Sequence, residues 1–233
     1  MSIFIAFVIT LGLAIIWLRI NDFLVSKKIL NNQLSRKIIH IGTGPIFVLC
    51  WLLFPDLSYS RYVAALVPLL ITFQFILIGV GVIKDKPAVD AMSRSGDPKE
   101  ILKGPLYYGV VFVLVTMLFW TESLVGIIAL MILCGGDGFA DILGRRVPIA
   151  KLPWSKSKSV GGSIGMFLGG LFFSFLIGII SISALGFEID FVSLVFKLII
   201  INIFTTIIES LPIQDVDNIT VPIMAIGLGL IIF

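Results

Sequence analysis

The stretch Cys134-Gly135-Gly136-Asp137-Gly138-Phe139-Ala140-Asp141-Ile142-Leu143-Gly144-Arg145-Arg146 sets two carboxylates and two guanidiniums among glycines, directly after an apolar segment. Ionisable side chains at membrane depth are costly, and a cluster of them marks a functional site by default. If the stretch is helical, Asp137 and Asp141 share one face at i, i+4, and so do Asp141 and Arg145. Two converging carboxylates beside glycines suit a magnesium ion that a phosphate can approach closely.

Two further polar patches follow. Lys151-Leu152-Pro153-Trp154-Ser155-Lys156-Ser157-Lys158-Ser159-Val160-Gly161-Gly162-Ser163 combines lysines, hydroxyls and glycines. Ammonium groups supply positive charge, hydroxyls and backbone N–H groups bind oxyanions, and glycines let the backbone come near. The G-x-x-x-x-G-K-[ST] order of a Walker loop is absent. Alone, the patch also reads as an ordinary positively charged inner loop; beside Asp137 and Asp141 it reads as a triphosphate cradle. The other patch, Glu209-Ser210-Leu211-Pro212-Ile213-Gln214-Asp215-Val216-Asp217-Asn218, holds three acids and no base. A divalent ion or the lysines at 151–158 would supply its positive partner. A solvated turn is the plain alternative, since Pro, Asp and Asn favour turns. His40, the single histidine, follows Ser35-Arg36-Lys37 and is open to a general-base or a structural role.

The elements that must position these groups are membrane helices. Hydrophobic residues make up 58% of the chain and charged ones 13%, with a mean hydropathy of +1.13. Soluble domains carry about 25% charged residues, so the expectation is an all-α polytopic bundle forming one membrane domain over 1–233. Apolar runs lie near 3–18, 38–54, 62–83, 105–120, 123–136, 163–186, 189–208 and 219–233, giving eight spans, with seven or nine as alternatives. The first run lacks a small-residue cleavage site and reads as a retained span. Of the 17 basic residues, all but Arg61 and Lys197 fall on the loops after spans 1, 3 and 5. Positive charge stays on the cytoplasmic side, so odd-numbered loops face inward, and all three polar patches with them.

Two spans are short. Only 14 uncharged residues separate Glu122 from Asp137, about 21 Å of helix at 1.5 Å per residue, whereas a hydrocarbon core of about 30 Å needs about 20 residues. Either the helix runs on through Asp137 and Asp141, or the segment is broken. The last span is similarly short and carries Pro222. The loop at 84–104 opens with an irregular stretch at Lys86-Pro87, and Asp97-Pro98 reads as a helix cap with proline at the first helical position. Trp17, Trp51, Trp120 and Trp154 read as interface anchors, Lys197 as a snorkelling side chain, and Cys50 and Cys134 as buried, inert thiols.

In order along the chain, these patches resemble the polyprenol kinase family, most closely its phytol kinases. The matching stretches are Leu34-Ser35-Arg36-Lys37-Ile38-Ile39-His40, Lys99-Glu100-Ile101-Leu102-Lys103-Gly104-Pro105-Leu106-Tyr107-Tyr108, the Cys134–Arg146 run, Lys156-Ser157-Lys158-Ser159-Val160-Gly161-Gly162-Ser163, and Glu209-Ser210-Leu211-Pro212-Ile213 with Asp217-Asn218-Ile219-Thr220-Val221-Pro222. The likeness covers about residues 34–225. Dolichol kinases and CTP-dependent diacylglycerol kinases are similar mainly around 134–163 and 209–222. One departure is Gly161, where dolichol-type relatives more often have a larger or acidic residue.

The resemblance implies transfer of the γ-phosphoryl group of a nucleoside triphosphate, CTP or else ATP, to a long-chain isoprenoid alcohol such as phytol, geranylgeraniol or a polyprenol. Nothing in composition or spacing specifies cytidine. Phosphoryl transfer rests on positioning and electrostatics, which suggests roles for the patches. Asp137 and Asp141, joined by Glu209, Asp217 and Asn218, would hold Mg2+. Arg145, Lys156, Lys158, Ser159, Gly161, Gly162 and Ser163 would bind the triphosphate, and Asp217 or His40 would take the hydroxyl proton. The expected partners are the alcohol, arriving laterally from the bilayer, the nucleotide and membrane lipids, with no nucleic acid. The expected location is a bacterial or archaeal plasma membrane with the site on its cytoplasmic side. A diacylglycerol kinase, a cytidylyltransferase making a CDP-lipid, and a transporter remain as alternatives; the last is disfavoured because the charge clusters lie at one interface, not at the membrane centre.

Overall fold

The computed structural model describes residues 1–147, 150–213 and 216–233, so Gln214 and Asp215 of the acidic patch lie outside the described residues. Every one of the eight apolar segments sits on a helix, and the protein is an all-α polytopic membrane bundle. Six stretches have the length and hydropathy to cross a membrane: Ile3–Ser26, Ser60–Gly79, Pro98–Leu118, Leu124–Arg146, Val160–Leu185 and Phe191–Ser210. The other two segments are Asn32–Trp51, whose first turns carry Arg36, Lys37 and His40, and the 16-residue helix Asp217–Ile232. The chain packs as two compact units, Met1–Leu118 and Phe119–Phe233.

The first unit contains α1 (Ile3–Ser26), α2 (Asn32–Trp51), α3 (Ser60–Gly79), α4 (Lys86–Met92) and α5 (Gly104–Leu118). Asn31 caps α2 by accepting the Leu34 N–H at 2.8 Å, one of the orphan donors at a helix start. The Trp17 indole of α1 lies over Gly42 of α2 and donates to the Ile39 carbonyl at 3.4 Å. The stretch expected to open irregularly at Lys86-Pro87 is instead the helix α4. Asp85 caps it by accepting from the Ala88 N–H, and Pro87 sits in the first turn, where its missing N–H costs nothing. Ala88, Val89, Ala91 and Met92 then bury against Ile39, Phe75, Ile78 and Ile101. Asp97 does cap a turn beginning at Pro98, but that turn is 3₁₀.

In the second unit, α6 (Leu124–Met131), a π-helical turn at Ile132–Asp137 and α7 (Gly138–Arg146) form one uninterrupted stretch. Its 23 residues span about 34 Å at 1.5 Å each, so the helix runs on through both aspartates and is not broken. It is followed by a hairpin, β1 (Lys151–Leu152) and β2 (Ser155–Ser159), then by α8 (Val160–Leu185), α9 (Phe191–Ser210) and α10 (Asp217–Ile232). Lipid tails are as apolar as leucine, so close packing holds such helices together. Glycines on α8 make that approach possible. A Cβ at Gly165 would stand 2.5 Å from the Phe139 carbonyl oxygen, and Gly169 abuts the Gly135 backbone in the same way. The seam brings α8 against the π turn. Farther along, Asn202 of α9 is fully buried and donates to the Leu198 carbonyl at 2.8 Å.

Two interface anchors read from the sequence are corrected. Trp51 and Trp120 are 1% and 6% exposed, so they fill the protein interior and do not face the headgroups. Lys197 has its ammonium 4.6 Å from the centre of the Phe233 ring, a cation–π contact. Cys50 and Cys134 are buried and neither is in a disulfide.

Candidate active site

Three helix ends and the hairpin build one polar cluster in the second unit. Asp137 closes the π turn, Glu209 is the next-to-last residue of α9, and Asp217 is the first residue of α10. One oxygen from each of these carboxylates lies within 4.8 Å of the other two. A π turn inserted in an α-helix is a common device at functional sites, because it re-aims the side chains of that turn. Lys158, on β2, completes the cluster. Its ammonium donates to Glu209 Oε1 at 2.5 Å and to Asp217 Oδ2 at 2.9 Å.

The hairpin is held where this contact needs it. Trp154 at its tip donates from its indole N–H to the Ser210 carbonyl at 3.1 Å, which ties the turn to the end of α9. At the other end, Ser159 caps α8 by accepting the Gly162 N–H at 3.1 Å. The Lys158 side chain is 19% exposed, Glu209 6% and Asp217 20%. Burial by itself lowers the Lys158 pKa, but the adjacent charges of Glu209 and Asp217 outweigh it and hold the ammonium above its ordinary value of 10.5. Lys158 is therefore a permanent cation at neutral pH. Against it stand the Glu209 and Asp217 carboxylates, with Asp137 beside them. All the donors are hard oxygens, the chemistry that Mg2+ takes, and the three residues fit such an ion.

The remaining candidates separate. Asp141 lies outside the carboxylate group and pairs instead with Arg145 one turn on, at 2.9 Å. The i, i+4 relation thus joins Asp141 to a base of its own helix, while Asp137 gathers with acids from distant segments. Lys156 is exposed on β2. Gly161 and Gly162 are buried in the first turn of α8, where a Cβ at Gly161 would stand 2.8 Å from the Val147 carbonyl oxygen. That contact is the physical reason a glycine stands at 161. The Ser163 hydroxyl in the same turn is buried with no hydrogen-bond partner among the described residues. Asn218 is buried in the first turn of α10 beside Asp217. His40 belongs to the first unit; its ring lies 4.4 Å from that of Tyr108, whose hydroxyl donates to the His40 carbonyl at 2.9 Å.

Sequence reasoning missed the hairpin and the role of Trp154. The signal was present in the period-two alternation of Ser155-Lys156-Ser157-Lys158-Ser159 after Pro153.

Comparison with known proteins places the chain. It is 39% identical over 228 residues to a probable phytol kinase 2, chloroplastic, of Oryza sativa subsp. japonica, which covers 97% of this chain and 74% of that protein. It is 36% identical to phytol kinase 1, chloroplastic, of Arabidopsis thaliana over 88% of this chain and 68% of that one. It is 38% identical to farnesol kinase, chloroplastic, of the same plant, over 88% and 67%. No protein-family profile and no solved structure matches the chain. Likeness of this extent, running through every stretch that builds the cluster, shows that the chain belongs to the polyprenol kinase family that includes these phytol and farnesol kinases.

Proposed function

We propose that the protein is a membrane kinase that transfers the γ-phosphoryl group of CTP to the hydroxyl of a long-chain isoprenoid alcohol, phytol and farnesol being the acceptors that its relatives' names point to. The observation that carries this reading is the convergence of Asp137, Glu209 and Asp217, with the Lys158 ammonium on the last two. Such a transfer needs little covalent chemistry from the protein and much positioning and charge neutralisation. The site lies on the inner side of the membrane, because the positively charged loops flank it.

Asp137, Glu209 and Asp217 would hold Mg2+, which when bound supplies positive charge to the oxygens of the transferring group. Lys158 and Lys156 of the hairpin bind phosphate oxygens as point charges. The first turn of α8, with the Gly161 and Ser163 N–H groups, adds a helix N-terminus that favours anions. Asp217 receives the hydroxyl proton, since at 20% exposure it is open to an acceptor where Glu209, at 6%, is enclosed. Asp141 and Arg145, joined to each other, support α7.

Incubating the purified protein with γ-labelled CTP or ATP against phytol, farnesol, geranylgeraniol, dolichol and diacylglycerol tests donor and acceptor together. Labelled isoprenyl monophosphate with release of CDP is the expected result. Label in diacylglycerol alone, or release of pyrophosphate, overturns it.

A further inference from the structure

Lys158 stands where a cation bound to this cluster would stand. Its ammonium contacts two of the three carboxylates that could share an ion, Glu209 at 2.5 Å and Asp217 at 2.9 Å. We infer that Lys158 is an internal counter-ion that keeps the divalent ion out until nucleotide arrives, and so couples metal binding to nucleotide binding. The inference rests on the metal reading given above.

First, removing the ammonium from this largely enclosed cluster leaves three carboxylates facing one another, which like-charge repulsion opposes. Lys158 therefore leaves only when another cation replaces it. Second, a metal ion arriving alone must displace the ammonium and brings it no new anion to pair with. A metal ion arriving with a triphosphate brings that anion, and the ammonium exchanges carboxylate oxygens for phosphate oxygens. Third, the exchange needs no backbone movement. The hairpin is pinned by Trp154 on Ser210 and by Ser159 at the start of α8, while the lysine stem is a flexible four-carbon chain carrying a compact charge. An arginine fork would hold both carboxylates in one fixed geometry; a lysine can let go.

Coupling of this kind is reciprocal: nucleotide tightens metal binding by the factor by which metal tightens nucleotide binding. The test uses the full chain in detergent, with Mn2+ as the probe and electron paramagnetic resonance reporting the bound ion, with and without a non-hydrolysable CTP analogue. Wild type should bind Mn2+ weakly alone and about tenfold or more tightly with the analogue, the ordinary range of such couplings. Lys158→Gln should bind Mn2+ alone about tenfold tighter than wild type and lose most of the enhancement. Lys158→Arg, which keeps the charge, should leave Mn2+ alone bound weakly.

If Lys158→Gln fails to fold, Lys158→Met takes its place with the same expectation. Mn2+ affinity in the neutral variants no higher than in wild type, beside normal Mn2+ binding with the analogue, overturns the counter-ion role and leaves the metal site standing. No Mn2+ binding by wild type even with the analogue overturns the metal site and this inference with it.

Discussion

In Met1–Leu118, Arg19 reaches Asp22 and Asp85 at 2.9 Å each; in Phe119–Phe233, Lys158 reaches Glu209 and Asp217 at 2.5 and 2.9 Å. Both arrangements put one cation between two acids, yet they do different work. Arg19 is 51% exposed and joins α1 to the residue that caps α4, so water and salt screen it and its yield in stability is small. Lys158 is 19% exposed, and the two acids it meets gather with a third, Asp137. The first cluster fastens two helices and is nearly balanced in charge. The second sets three carboxylates beside one lysine, at a place built from a π turn, two helix ends and a hairpin. A third acid under partial burial is what separates it from a simple tie between helices.

The sharpest break in that comparison is Asp137→Ala. Turnover of labelled CTP should fall by about a thousandfold, the scale for losing charge stabilisation at a transition state, with the protein still monodisperse in detergent. A folded Asp137→Ala enzyme of wild-type activity would sink the assignment of the cluster. Next comes Gly165→Ala, which sets a methyl 2.5 Å from the Phe139 carbonyl oxygen. Overpacking of this kind costs about 1–3 kcal/mol, and moving α8 off the π turn should also lower turnover. A melting temperature equal to wild type would show that the seam is looser than the structure has it.

Lys158→Gln leaves Glu209 and Asp217 without their cation and should cost about 1–3 kcal/mol, the range for an uncompensated buried polar group. The folded Lys158 pKa lies above 10.5, so the stability from its pairs is fully present below that value and lost as pH rises through the folded pKa. Between about pH 7.5 and about pH 9 the gap between wild type and Lys158→Gln should therefore be constant. A gap that closes within that window would mean that the lysine is not held charged. The smallest effect belongs to Arg19→Ala: at most about 1 kcal/mol, shrinking further in high salt, with turnover unchanged. A loss of activity there would erase the contrast between the two clusters.

Much of the fold was legible because hydrophobic run length and loop charge answer to the bilayer alone. Each of the eight apolar segments lies on a helix, and the 14-residue gap before Asp137 pointed to a helix that continues or breaks; it continues to Arg146. The pairing within the site was less legible. Spacing made Asp141 the natural companion of Asp137, since i, i+4 neighbours meet on a regular helix. The structure gives Asp141 to Arg145 and brings Glu209 and Asp217 to Asp137 instead. The acidic patch called for a positive partner, a divalent ion or the lysines at 151–158, and the hairpin brings Lys158 to it.

By itself, the sequence determined that this is a helical membrane protein, that its basic loops gather on one side, and where its three polar patches lie. Those follow from transfer free energies and charge retention, which depend on residue type and run length. Only the tertiary structure decided which acids meet, and that a lysine stands among them. That outcome depends on how closely α8 approaches the π turn across Gly165 and Gly169 and on where Trp154 fastens the hairpin. Such contacts join residues far apart in the chain, beyond the few positions that helical spacing constrains.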